Sequence, residues 1–350
     1  MQSFLNILVI NLFVSINKIR LLETTLREGS YSVNFSFSAQ DTFDLCRDLE
    51  SAGFRLIEVG HGFGLNASNR GLGEAAATDE EYMRAAGKAL KKAEFGVFCI
   101  PGVARLKDLD AAAACGAGFV RIGANATEYS KAEPFFRRAR ELGLTAYANF
   151  MKTYLLTPVK LARNVGMAER FGAEAIFIVD SAGCMFPEDI LAYYKAIRKA
   201  TKVPLGIHAH NNLGLSVWNC LYAADLGFEY FDTSMQGIGR SLGNPSNEMV
   251  IPALRKRGYK LDIDILRMLE IGEKRIRPLM SSRGIDTFDV MAGYAGFHSS
   301  NKGRVLAFAE EHSVDPIVLM VEASKHDKIS PSDSLLRRIS KRIKDKGIPL

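Results

Sequence analysis

The 350-residue chain has no Cys-x-x-Cys pair. Its five cysteines, Cys46, Cys99, Cys115, Cys184 and Cys220, stand apart and are odd in number. Such spacing excludes a disulfide framework and a zinc cage, and leads us to expect reduced thiols in a cytoplasmic protein. No Gly-x-Gly-x-x-Gly turn follows the first strand candidate, which counts against an open dinucleotide-binding sheet. There is no low-complexity segment and no repeat beyond an alternation of strand and helix. A surplus of one charge is also lacking: 45 basic residues face 39 acidic ones, for a net charge of +6 and a pI of 9.0. The basic residues are spread out rather than gathered with aromatics, so the expected partners are small anions and not nucleic acid. The apolar run from Phe4 to Ile16 is too short to span a bilayer and lacks a basic flank and a small-residue cleavage site. Neither a membrane anchor nor a signal peptide is expected, and residues 1–17 read as an extension that packs as an extra strand or helix, or as the product of a mis-chosen start codon.

What is present is a globular composition, 47% hydrophobic and 24% charged, ample for a large core. Short β-branched and aromatic runs over 18–23, 54–59, 95–100, 118–123, 144–150, 174–180, 203–209 and 228–234 alternate with helical stretches. Among the latter, 38–52 opens with Ser-x-x-Asp, and 187–200 opens with Pro and two acids. Eight such units predict a (β/α)₈ TIM barrel over residues 18–260, in preference to a doubly wound sheet. Beyond it, helices at 263–275, 302–311 and 332–346 without strands predict a helical C-terminal domain, residues 261–350. The basic spacing of the last of these reads as a solvated face.

In a barrel of this kind chemistry collects at the C-terminal ends of the strands. There the chain places Arg27 and Glu28 after strand one, His61 after strand two, Asn125 at strand four, Asp180 and Ser181 at strand six, and a glycine-rich loop ending in Asn244 after strand eight. Strand seven carries His208 and His210, two apart and hence on one face. One carboxylate and two imidazoles suit a divalent ion with positions left open for substrate. Arg27 is suited to an oxygen that gains negative charge, although a structural ion pair with Glu28 at the barrel rim would also account for it.

Six segments, TTLREG, EVGHGFG, RIGANATE, FIVDSAG, HAHNNLGLS and GIGRSLGN, with GYAGFHSS further on, resemble in order the DRE-TIM metallolyases, and within them most nearly the 4-hydroxy-2-oxovalerate aldolase family. The resemblance covers roughly residues 18–340. It implies a barrel that binds Mn²⁺, or Mg²⁺, Co²⁺ or Zn²⁺, through Glu28, His208 and His210. It further implies that Arg27 stabilises a pyruvate enolate, that Ser181 holds the pyruvate carboxylate, and that His61 and Asn244 stand beside substrate and metal. A 2-oxo acid would be the substrate, and the C-terminal domain would pair with an aldehyde dehydrogenase or with a second copy of the chain.

The chain departs from that pattern in several places. Glu28 stands where the aldolases have aspartate, although homocitrate synthases use glutamate there. Tyr31 occupies the place of the family's acid/base histidine, and His298 the place of a tyrosine. Phe63 replaces an aspartate and Asn66 a glycine. We therefore expect His298 to supply the acid/base function, Tyr31 to position substrate, and substrate preference to have moved. The expected activity is a metal-dependent aldolase. A Claisen-type synthase acting on an acyl-CoA and a 2-oxo acid, or a non-catalytic barrel subunit, are the alternatives. A 3-hydroxy-3-methylglutaryl-CoA lyase is disfavoured, since residues 236–244 hold no cysteine.

Overall fold

Each strand run alternates between two buried faces, one toward the helices and one toward the barrel interior, and this period of two decides the architecture. In the computed structural model, which describes residues 19–280 and 286–346, eight parallel strands close into a barrel. They are β1 (Arg20–Glu23), β2 (Leu56–Val59), β3 (Glu94–Cys99), β4 (Phe119–Asn125), β5 (Thr145–Met151), β6 (Ala175–Asp180), β7 (Leu205–Ala209) and β8 (Tyr230–Thr233). Closure comes from β1, which pairs with β2 on one side and β8 on the other. The TIM barrel expected from the sequence is the fold observed. The extension 1–17 lies outside the described residues.

Outward residues such as Val120, Ile122, Ala146, Ala148, Ile176, Ile178, Leu205 and Ile207 pack beneath the surrounding helices in the main core. Inward residues stack in layers. At the base Leu22, Phe119, Tyr147, Phe177 and Tyr230 form a small apolar plug. Above it the inward positions are charged or polar: Glu58, Arg121, Asn149 and Asp232, all buried. The helix Ala39–Ala52 starts at a capping box between Ser38 and Asp41 and stops at Gly53, whose φ of 107° suits a left-handed turn. The helix Pro187–Ala200 has the bounds expected of it.

After β8 the picture is finer than the sequence pattern suggested. The expected helix 263–275 is an α-helix only over Ile265–Ile271 and then widens into a π-turn, Gly272–Ile276. Gly272 sits where an added Cβ would lie 2.3 Å from a carboxylate oxygen of Glu248, so the segment bulges around that contact. Ile263, Met268, Ile271 and Ile276 belong to the barrel's own core. A second core gathers Phe288, Phe297, Leu319, Leu336 and Ile339. Two helices within it, Thr287–Ala295 and Pro316–Ser324, start at Asp286 and Asp315, whose carboxylates accept backbone N–H groups of the first turn. The last helix buries Leu336, Ile339 and Ile343 and leaves Arg337, Arg338 and Lys341 in solvent. No described helix is long and apolar enough to cross a membrane.

Candidate metal centre and active site

β1 ends at Glu23, and the chain turns at once into the short helix Thr25–Glu28, which carries Arg27 and Glu28 into the barrel mouth. Two strands away come His208, inside β7, and His210, just beyond it, with ring centroids 4.9 Å apart. One potential ligand atom from each of Glu28, His208 and His210 lies within 4.8 Å of the others, and all three residues are buried.

The histidines are aimed from behind. His208 donates from Nδ1 to Asp232 Oδ2 at 2.6 Å, and His210 donates from Nδ1 to the carbonyl of Asp180 at 2.9 Å. Each bond leaves the Nε2 lone pair free for a cation. His210 Nε2 and Glu28 Oε2 are buried without a hydrogen-bond partner. Such orphans are costly unless something fills the space between them. Burial holds His208 well below the ordinary histidine range, in the neutral form that a metal requires. For Glu28 burial opposes ionisation, but Arg27 and then His208 outweigh it and lower its pKa. The donor set fits a divalent ion.

Arg27 is the end of a buried chain of charge. It pairs with Glu28 and donates from Nε to Glu58 at 2.7 Å. Glu58 also receives Arg121 at 2.8 Å, and Arg121 reaches on to Asp232, the residue behind His208. Burial raises the Glu58 pKa, yet Arg121 and Arg27 together hold it at about 2. Arg27 lies 4.6 Å from the Phe98 ring centroid. That ring occupies the space a Cβ on Gly123 would need, coming within 2.3 Å of its ideal position. Two arginines against Glu28, Glu58 and Asp232 leave the buried cluster one negative charge in excess when the histidines are neutral, which again favours a cation.

These residues open onto a cavity of ≈ 180 Å³ that is also lined by Tyr31, Lys152, Ser181, Arg240 and His298. Ser181 Oγ accepts the Lys152 N–H at 2.9 Å, so its own hydrogen is available to the cavity. Burial pushes the Tyr31 phenol up to about 12, which makes it a proton donor and not a base at neutral pH. His298 Nδ1 accepts the Ser300 N–H at 3.2 Å and lies 2.6 Å from Ser300 Oγ. Burial, then Arg240 and Lys152, lower its pKa well below the histidine norm. Gly293 lets this segment approach the barrel, since a Cβ there would lie 2.8 Å from Asn212 Cβ.

Of the nine residues given a site role from the sequence, seven converge on this cavity, Arg27, Glu28, Tyr31, Ser181, His208, His210 and His298, and Asn125 at the end of β4 lines it as well. His61 does not. Its Nε2 donates to Gly73 O at 3.1 Å, its Nδ1 accepts the Phe63 N–H at 3.1 Å, and its ring stacks on Phe35. Both nitrogens are committed to shaping the loop, which corrects the expectation that His61 contacts substrate. Asn244 is buried outside the cavity lining, with both amide atoms unpartnered, against the backbone of Gly239. Sequence reasoning missed the supporting roles of Glu58, Arg121 and Asp232, although charged residues at inward positions of apolar strands were a usable signal. It also missed Lys152 and Arg240, both of which lie in rim loops.

A closed (β/α)₈ barrel whose C-terminal mouth gathers an arginine, a glutamate and two histidines defines a lyase-type barrel of the DRE-TIM class. The chain belongs to the HMGL-like family, whose model matches residues 18–274. It is 34% identical over 320 residues to a 4-hydroxy-2-oxovalerate aldolase of Carboxydothermus hydrogenoformans, covering 91% of this chain and 95% of that one. A second 4-hydroxy-2-oxovalerate aldolase, from Moorella thermoacetica, is 35% identical over 324 residues, covering 92% and 96%. Among solved structures, the carboxyl transferase domain (Y628A) of Rhizobium etli pyruvate carboxylase with pyruvate superposes with a TM-score of 0.74 at 16% identity, over 95% of this chain and 61% of that one. The HMG-CoA lyase of Bacillus subtilis does so with a TM-score of 0.67 at 17% identity, over 76% and 96%. At such identities these two bear on the fold alone.

Proposed function

We propose that this protein is a divalent-metal-dependent aldolase that makes or breaks the C–C bond next to a pyruvate enolate, interconverting a 4-hydroxy-2-oxo acid with pyruvate and an aldehyde. The observation that carries the reading is the buried trio Glu28, His208 and His210, with its unpartnered Oε2 and Nε2 atoms. Kinship with aldolases at about a third identity supports it. These three residues would hold the ion, for which Mn²⁺ is our first choice and Mg²⁺, Co²⁺ or Zn²⁺ are chemically admissible. Such an ion, when bound, supplies Lewis acidity toward the oxygens of a 2-oxo acid.

The chain's own residues do the rest. Arg27 has Nε and Nη1 bound to Glu58 and Glu28, so its Nη2 is available for the enolate oxygen as that atom gains charge. The Ser181 hydroxyl donates to the substrate carboxylate. His298 is neutral and can take the proton of the 4-hydroxyl during cleavage. Its Nδ1 lies 2.6 Å from Ser300 Oγ, closer than the 3.2 Å to the Ser300 N–H, so the route runs through Ser300 Oγ, which takes the substrate proton as it gives its own to Nδ1. Tyr31 stays protonated and orients the substrate oxygen. Asn244 ties the glycine-rich loop together through its backbone N–H to Gly237 O, and its unpartnered side-chain amide would be free to serve the ion or the substrate.

The test is hydrogen–deuterium exchange of the pyruvate methyl group, followed by mass spectrometry on protein loaded with Mn²⁺. Wild type should exchange, and Glu28→Gln and His210→Ala should not. A wild-type protein that binds no divalent ion and shows no exchange would overturn the reading. Consumption of an acyl-CoA with a 2-oxo acid, in place of aldehyde turnover, would move it to a Claisen-type synthase.

A further inference from the structure

The cavity holds two cations that the reaction described above does not use. Arg240, in the glycine-rich loop after β8, lies with its guanidinium carbon 4.0 Å from the Tyr31 ring centroid and 4.7 Å from that of Phe63. The two rings fix the plane of the fork but give it no negative partner. Lys152 follows β5 directly. Its φ of 56° is unusual for a lysine, and its backbone N–H is tied to Ser181, which orients the residue at the cavity wall. Both side chains are half-buried, and among the described residues neither forms an ion pair with a carboxylate.

Charge accounting shows what they lack. The inner cluster carries one net negative charge. A divalent ion turns this to one positive charge, and the carboxylate of a 2-oxo acid cancels it. Lys152 and Arg240 then face the same small cavity with no carboxylate in ion-pair contact, Asp327 and Glu128 acting on Lys152 only from beyond that range. Two half-buried like charges repel, and burial together with Arg240 lowers the Lys152 pKa. The arrangement is stable with an anion between them.

We infer that the second substrate, the aldehyde that adds to or leaves the pyruvate unit, carries an anionic group, a carboxylate or a phosphate, held by Arg240 and Lys152. Arg240 offers a bidentate fork to this group and Lys152 a point charge. Phe63 and Tyr31 then serve as the walls that keep the fork in place, and they shield it from water, which strengthens the contact. The inference rests on the aldolase reading.

The experiment compares kcat/KM for three aldehydes condensed with pyruvate: succinic semialdehyde, glycolaldehyde phosphate and neutral butanal. Wild type should prefer one of the anionic aldehydes over butanal by about tenfold or more. Which anion wins distinguishes carboxylate from phosphate. Arg240→Met and Lys152→Met should each collapse that ratio toward one, and Arg240→Lys should restore part of it. Independently of turnover, calorimetry on metal-free protein should detect succinate or phosphoglycolate binding to wild type, weakened about tenfold in either methionine variant. A wild-type ratio at or below one, or variants that keep the wild-type ratio, overturns the inference. So does an effect confined to the KM for pyruvate, since the two cations would then serve the 2-oxo acid. Pyruvate methyl exchange separates the failures. If it is present while the aldehyde ratio is flat, only the anionic co-substrate falls; if it is absent, the aldolase reading falls too.

Discussion

The Nδ1 of His208 lies 2.6 Å from Oδ2 of Asp232, and this bond joins the candidate metal centre to the interior of the barrel. Asp232 pairs in turn with Arg121, Arg121 with Glu58, and Glu58 with Arg27. One buried chain of charges thus aims a histidine at one end and an arginine at the other. Asp232→Asn should weaken divalent-ion binding by about 10–100-fold while the fold persists, as measured by calorimetry. His208→Ala should abolish stoichiometric binding. Unchanged affinity in Asp232→Asn would show that the bond does not orient the ligand.

Arg121 is wholly buried between two carboxylates. Arg121→Met leaves Glu58 and Asp232 facing each other without it, and should cost about 3–5 kcal/mol in chemical denaturation. A loss under 1 kcal/mol would mean that the carboxylates find other partners or water.

His298→Asn should lower the cleavage rate by about 10²–10⁴-fold, the range for loss of a general base. Tyr31→Phe should cost about tenfold or less, since a protonated phenol only positions the substrate. An undiminished rate in His298→Asn removes that residue from the reaction, and the relay through Ser300 with it.

A base works while unprotonated, and burial with Arg240 and Lys152 keeps His298 below the ordinary histidine pKa. The pH profile of kcat/KM in the cleavage direction should therefore stay flat through pH 6.5 before its acid limb. Removing a neighbouring positive charge lets the His298 pKa rise, so in Arg240→Met the acid limb should move to higher pH. A shift in the opposite sense would contradict the electrostatic account.

Glu23, fully buried at the end of β1, has its pKa raised by burial from 4.5 to about 7, although Thr25 and Asn247 donate to it. Between those values the folded state binds the proton and the unfolded chain does not. Stability should accordingly fall as pH rises through the window, by about 3 kcal/mol. Glu23→Gln should flatten this dependence in urea melts at pH 5 and pH 8. An equal slope in the variant would assign the effect to another group.

The strands were legible because their signal is local. The alternation in Phe119 to Asn125 or Leu205 to Ala209 depends only on neighbours two residues away, and eight such runs with helices between them have one common closed solution. The spacing of His208 and His210 is local in the same sense. Helix starts at Asp286 and Asp315 are equally local signals, but the helices they open are short and carry no long apolar period.

What the chain's order of residues determined by itself was the barrel, the shared face of the two histidines, and the rim positions of Arg27, Glu28 and Ser181. Only the tertiary structure decided what each of these touches. Glu58 meets Arg121 across 63 residues and Arg121 meets Asp232 across 111, contacts that exist because barrel closure brings inward side chains to one layer. His61 occupies a functional-looking place in its motif, but the loop that returns to Gly73 takes both of its nitrogens. Arg240 and Lys152 lie 88 positions apart and become one positively charged wall only when the ends of β5 and β8 share a mouth. A backbone pattern is set by short-range sterics and burial, whereas the pairing of charges in a low-dielectric interior depends on which strands the closed barrel makes neighbours.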